Sequence, residues 1–299
     1  MKQLTLGMIG LSPGNGHPYS WSAIFNGYDQ SYMANCPFPI ISQYLSKQSF
    51  PEDQIKQASV THIWTQNKTT SNQIAKATFI PTIVDSYQDM IGQVDGILLA
   101  RDDAENHLMF AKPFLEAGLP IYIDKPLAYD TKTAQKLFNL QQYKHQLFTA
   151  SALAYSPEFI LDSSQRAALG KIITINAVVI KDWLRYGVHV IEPVLKMINW
   201  QQPIQKVSVT STKLTKVVTV AWQDGLVTTF QVLGDSSAPI TIDLIGKDQS
   251  IRLVHTDTFT AFKNSLQHFI KSISKQNFPP SQEFVMQVIN VIEQGNLND

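Results

Sequence analysis

Two hydrophobic rhythms divide the chain. In the first half, short apolar runs at residues 4–9, 60–65, 96–100, 121–124 and 147–152 are too brief for helices and read as buried strands. Between them lie stretches of helical spacing at 72–77, 86–91 and 131–145, and a short edge strand at 80–83. Leu108, Ala111, Phe114 and Leu115 fall on one face of a further helix that Gly118 and Pro120 stop, while Asp102 and Asp103 offer it an N-cap. Strand, helix and strand between residues 96 and 124 make a βαβ crossover, so the strands are expected to be parallel and their carboxyl ends to face the ligand crevice.

The second half changes rhythm. A helix at 158–168 ends at Gly170, and longer runs rich in Val, Ile and Thr follow at 172–179, 204–210, 214–222, 226–233, 240–245 and 250–254. Gln223-Asp224-Gly225 and Gly246-Lys247-Asp248 are tight-turn signals, which predicts a large, mostly antiparallel open sheet. Its alternation leaves one face outward, and an outward apolar face predicts a homodimer or homotetramer. Helices at 259–273 and 283–292 close the chain. The expected organisation is a parallel α/β domain at 1–150, then a substrate-binding and oligomerisation domain of α+β type at 151–299.

Composition narrows the function. The 299 residues are 44% hydrophobic, enough for two cores, and carry 24 basic and 24 acidic side chains. That balance gives no electrostatic footprint for nucleic acid or an anionic membrane surface. No apolar run approaches a membrane span, and the start runs directly into a strand, so a soluble cytoplasmic protein is expected. A single cysteine, Cys36, excludes an intramolecular disulfide, and seven scattered histidines without ligand spacing argue against a metal site.

Chemistry concentrates at the strand ends. After the first strand comes Gly10-Leu11-Ser12-Pro13-Gly14-Asn15-Gly16-His17, with small residues and a following helix but without G-x-G-x-x-G spacing. It reads as a phosphate cradle or as an ordinary glycine-rich turn, and its place after the first strand favours the cradle. His17, Tyr19 and Trp21 follow, where they could line the nicotinamide side or a substrate, with packing the commoner role for any one of them. Residues 30–58 look like an insertion. Thr65-Gln66-Asn67-Lys68 ends the second strand without the carboxylate that normally meets the adenosine ribose, which leaves NAD and NADP undecided. Ala100-Arg101-Asp102 and Asp124-Lys125-Pro126 end two neighbouring strands.

Asp124-Lys125-Pro126, with His107 in the preceding helix, resembles the Glu-Lys-Pro and histidine of the glucose–fructose oxidoreductase / inositol dehydrogenase / MocA family. Arg185-Tyr186-Gly187-Val188-His189-Val190-Ile191-Glu192 resembles its D-x-G-x-H-x-x-D element, with Arg185 in place of the first aspartate and Glu192 in place of the second. The resemblance covers nearly the whole chain in element order. It implies a Rossmann domain followed by an α/β domain, and an NAD(P)-dependent oxidoreductase that moves hydride between nicotinamide and a secondary alcohol of a sugar, cyclitol or related polyol. Lys125 would polarise the reacting oxygen, His189 would shuttle its proton, and Asp124 would help hold Lys125. His189 and Glu192, at i and i+3, would share a helix face. Cofactor contacts would come from Gly10, Ser12, Pro13, Gly14, Asn15, Gly16, His17, Thr65, Gln66, Ala100, Arg101, His107, Lys125 and Pro126. Asp182, Trp183, Arg185 and His189, with Lys125, would line the substrate side, and Arg185 could bind an anionic substrate group. The degraded motifs also fit a non-catalytic sugar- or cofactor-binding member. A lyase or epimerase using its nicotinamide transiently is a third reading.

Overall fold

The computed structural model describes residues 3–297, which divide into two compact units. One holds the chain up to Leu127 with Gln135–Thr149 and Lys263–Ser281; the other holds Ala128–Ala134, Ala150–Phe262 and the chain from Gln282 on. Residues 263–281 of the first unit thus come from beyond the boundary near 150 that pattern alone predicts.

In the first unit, β1 (Leu4–Gly10) leads to α1 (His17–Asn26), and the insertion supplies α2 (Gln30–Met33) and α3 (Pro39–Leu45). Next come β2 (Ala58–Thr65), α4 (Lys68–Ala77), β3 (Thr82–Ile83), β4 (Gly96–Leu99), α5 (His107–Glu116) and β5 (Ile121–Ile123). Helix α6 (Thr131–Asn139) and β6 (Leu147–Phe148) complete the order. The sheet runs β3-β2-β1-β4-β5-β6 with every pair parallel. Strand order reverses between β1 and β4, which opens the ligand crevice of a doubly wound sheet at their carboxyl ends. All residues of β4 and β5 are buried, as expected for strands covered on both faces. Tyr122 of β5 packs against Trp21, Phe148 and Phe269, and its hydroxyl bonds Ser265 Oγ at 2.6 Å, so a buried polar atom is satisfied.

The second unit runs α7 (Ser163–Leu169), β7 (Ile172–Val179), α8 (Trp183–Tyr186), α9 (Val188–Met197), β8 (Ile204–Ser211), β9 (Lys216–Trp222), β10 (Val227–Val232), β11 (Thr241–Gly246) and β12 (Ser250–Val254). Helix α10 (Thr258–Ile273) begins in this unit and continues into the first, and α11 (Gln282–Leu297) ends the described chain. The sheet order is β12-β11-β7-β10-β9-β8, with only β7 and β10 parallel. Ile175, Ala177, Val179, Val218, Val220, Trp222, Phe230, Ile242 and Leu244 form its buried face, against α9 and α11. The opposite face is half-buried and mixed, with Thr174, Asn176, Thr219 and Gln231 among its residues.

Several elements are shorter than pattern predicts, and three of them differ most. The strand at 147–152 stops at Phe148 because Ser151 accepts the Leu153 N–H and starts a 3-10 turn. The helix at 158–168 is split, since Asp162 and Gln165 form a capping box that begins α7 afresh. The helix at 131–145 ends at Asn139, and His145 takes a left-handed conformation with φ 75°.

Candidate active site

The loop after β1 is a type II turn. Pro13 precedes Gly14, whose φ is +81°, and the Asn15 N–H returns to Ser12 O at 3.1 Å. Proline presets the first corner and glycine supplies the positive φ of the second. Gly16 is needed for another reason: a Cβ there would lie 2.6 Å from Phe38 and 2.5 Å from Ile41, so the insertion buttresses the back of this turn. Both readings of the loop therefore meet, because the glycine-rich turn is real and stands where a cradle is expected.

The donors available to a phosphate differ from the usual arrangement. At the start of α1 the His17 N–H is taken by Asn15 Oδ1 at 2.7 Å, Pro18 has no N–H, and Tyr19 N–H bonds Gly16 O at 3.0 Å. Among the described residues, the N–H groups of Ser12, Gly14 and Gly16 have no protein acceptor, and a Cβ on Gly14 would meet nothing within 4 Å. The residues present fit a pyrophosphate on the turn itself rather than on the helix N-terminus.

Strand ends bring four ionisable groups together. Ser12 Oγ donates to Asp102 Oδ1 at 2.6 Å and accepts from Asp102 N–H at 3.1 Å, tying the turn to the end of β4. Lys125 Nζ reaches Asp102 Oδ2 at 3.4 Å, and the two side chains are 4% and 6% exposed. Burial alone would push the Asp102 carboxyl up, yet Lys125, Ser12, His17 and Asn15 together bring it down to about 2. Asp124 Oδ1 accepts the backbone N–H of Lys125 at 2.8 Å, and its Oδ2 receives Asn15 Nδ2 at 2.9 Å and His17 Nδ1 at 2.5 Å. Asp124 thus holds the lysine's backbone, and Asp102 pairs with the ammonium. Sequence pattern places Asp102 at this strand end and as a helix cap, but not as the partner of Lys125. It lies three residues past Leu99, the last residue of β4, at the switch point.

The other expected residues are also placed. Arg101 makes a two-pronged pair with Asp103 (3.0 and 2.6 Å), and its Nη1 donates to Leu11 O and Gln66 Oε1. Burial raises the Asp103 carboxyl and the Arg101 fork lowers it, with a net fall. Gln66 bonds both backbone groups of Leu11, and Thr65 is buried against Ser71, so this end of β2 fixes the turn. Lys68 pairs in solvent with Asp85. His107, expected at the cofactor, is instead fully buried between Arg101 O at 2.7 Å and Leu127 O at 3.0 Å, clamping the β4 and β5 ends together. Ala100 and Pro126 are buried beside these ends.

In the second unit, His189 opens α9 and Glu192 lies one turn on. Ser151 stands between them: its hydroxyl bonds His189 Nδ1 at 2.8 Å and its N–H donates to Glu192 Oε2 at 2.6 Å. Burial pushes the Glu192 carboxyl up and the Lys196 amine down, and these two approach at 3.7 Å. Asp182 caps α8 by accepting the Arg185 N–H at 2.8 Å. Trp183, expected on the substrate side, is instead buried with its indole N–H on Ile292 O at 2.9 Å, anchoring α8 to α11. Among the described residues no His/Cys/Asp/Glu group could hold a metal ion, and no helix is long and apolar enough to cross a membrane.

Residues 44–151 match the oxidoreductase family with an NAD-binding Rossmann fold. The match begins after the glycine turn and includes Asp124-Lys125-Pro126. None of the curated proteins matches the chain. Solved structures share its fold over almost its full length. A probable dehydrogenase from Thermotoga maritima is 12% identical with a TM-score of 0.76, covering 99% of this chain and 96% of its own. Myo-inositol 2-dehydrogenase from Lactobacillus plantarum is 14% identical, with a TM-score of 0.73 and coverages of 99% and 97%. Myo-inositol dehydrogenase from Lactobacillus casei, solved with NAD(H) and myo-inositol, is 12% identical, with a TM-score of 0.75 and coverages of 99% and 94%. The resemblance to the glucose–fructose oxidoreductase / inositol dehydrogenase family is borne out, as are the two-sheet fold and a cofactor of the NAD or NADP class.

Proposed function

We propose that the protein is an NAD(P)-dependent oxidoreductase acting on a secondary alcohol of a sugar, cyclitol or related polyol. The observation that carries this reading is Lys125. It is a buried lysine at the carboxyl end of β5, held by Asp102 in the sheet's ligand crevice. When bound, the nicotinamide cofactor supplies the hydride chemistry. The chain's own part is to orient and to stabilise charge.

The N–H groups of Ser12, Gly14 and Gly16 would hold the phosphates, with Gln66 and Arg101 keeping Leu11 and the turn in place. Lys125 Nζ would donate to the reacting oxygen as charge develops on it, an interaction stronger in the transition state than before it. Asp102 keeps the ammonium aimed. The family resemblance gives the substrate proton to His189 and adds Arg185 as a contact for an anionic substituent.

A non-catalytic cofactor- or sugar-binding protein is the second reading. The observations favouring it are the occupied donors at the start of α1 and the arginine in place of the family's aspartate. A panel of polyols and sugars assayed at 340 nm with NAD and NADP separates the two. Turnover of any polyol that Lys125→Ala abolishes supports the enzyme. Cofactor binding with no turnover across the panel supports the binding protein.

A further inference from the structure

His17 stands in an arrangement that a cofactor contact alone does not require. Three constraints fix its ring. Asn15 Oδ1 accepts its backbone N–H at 2.7 Å, Asp124 Oδ2 meets Nδ1 at 2.5 Å, and Trp21, one helical turn on, stacks on the imidazole at 5.0 Å with planes 14° apart. Asn15 also donates Nδ2 to the same Asp124 oxygen, so one amide positions both members of the pair. Asp124 is 1% exposed and the His17 side chain 19% exposed, so the carboxylate lies inside and the imidazole lies towards the crevice rim.

A carboxylate on Nδ1 selects the Nδ1–H tautomer and puts the lone pair on Nε2, the atom that can take a proton. Asp124 and Lys125 are consecutive, so this dyad and the lysine occupy one strand end. His189, by contrast, has Nδ1 on a serine hydroxyl, and the aspartate of its family element is Arg185.

We propose that His17, oriented by Asp124, is the acid–base residue of this oxidoreductase. This rests on the reading above. In the oxidative direction the substrate O–H bond breaks and its proton passes to His17 Nε2. The C–H bond on the same carbon breaks with its electron pair, which leaves as hydride to an oxidised nicotinamide dinucleotide, and a C=O bond forms. The imidazolium then loses its proton to water. Asp124 is a positioning residue, and Lys125 stabilises the oxygen without having to take the proton.

The test has two arms. The first is ¹⁵N NMR of the imidazoles in the intact protein without cofactor. His17 is expected as the Nδ1–H tautomer, with that preference lost in Asp124→Asn. An Nε2–H tautomer overturns the proposal. The second arm is the pH profile of kcat/KM for wild type, His17→Asn and His17→Gln, either of which can retain a donor to Asp124. Both variants are expected to lose about 10²–10⁴-fold in kcat, together with the acid limb of the profile, and Asp124→Asn is expected to shift that limb. Variants within about threefold of wild type, or an acid limb that persists in them and vanishes in His189→Asn, overturn it. Absence of turnover in wild type would sink the oxidoreductase reading and this one together, whereas turnover indifferent to residue 17 sinks this one alone.

Discussion

Lys125 Nζ and Asp102 Oδ2 lie 3.4 Å apart, and neither side chain is more than 6% exposed. Two charges this far from water are tolerable only as a pair. Removing one partner therefore affects stability as well as chemistry. Asp102→Ala, which takes the carboxylate away from a buried ammonium, is expected to cost about 3–5 kcal/mol. Urea denaturation measures it, and a loss below about 1 kcal/mol would mean that the pair is solvated.

Lys125→Ala should separate binding from chemistry. Loss of an oxyanion-stabilising donor lowers kcat by about 10²–10³-fold, while the turn donors proposed to hold the phosphates are untouched. Cofactor affinity is expected to stay nearly intact. Unchanged turnover in this variant removes Lys125 from the mechanism.

Acid should weaken the first unit through Asp102. Its carboxyl sits at about 2 in the folded chain against an ordinary 3.8. A depressed carboxyl contributes stability above its unfolded value, and that contribution fades as pH falls from 3.8 towards 2. At 1.36 kcal/mol per pH unit the loss is roughly 2 kcal/mol. Thermal melts between pH 5 and 2 should show a steeper fall in wild type than in Asp102→Asn. Parallel curves would contradict the assignment.

Gly14 is the one residue of the turn held at positive φ with open space above it. Gly14→Ala should cost about 1–2 kcal/mol and also crowd the space over the turn's N–H groups. A combined loss of stability and of NAD(P)H affinity is expected. Full affinity in this variant would place the phosphates elsewhere.

The outer face of the second unit's sheet, with exposed Ile245 and Val254, motivates a homodimer or homotetramer. Light scattering on the purified protein should return two or four times 33.5 kDa. A monomeric mass would defeat this expectation.

Much of the fold was legible because its strands are short and bounded by turns. The strands Ile172–Val179 and Ser250–Val254 have the limits that alternation predicts. Lys125 was legible because it follows a strand end and precedes a proline. What pattern could not show was pairing across sequence distance. Asp102 has the local look of a helix cap, and only folding brings Ser12 and Lys125 to it, 90 and 23 residues away. His17 likewise reads as one more packed histidine until Asp124, 107 residues on, meets its ring. His107 sits at a family position and Trp183 just before the histidine element, and burial turns both into structural anchors. Spacing carries no record of which polar group a side chain will be buried against.

The central claim is that the turn at Ser12–Gly16 and the buried Lys125 form a working nicotinamide site. The most direct measurement is a titration of the purified protein with NADH and with NADPH, followed through its five tryptophans. Saturable quenching at micromolar concentration is expected with at least one of the two, weakened in Gly14→Ala. No binding of either would mean that this turn holds no dinucleotide, and the oxidoreductase reading would fall with it.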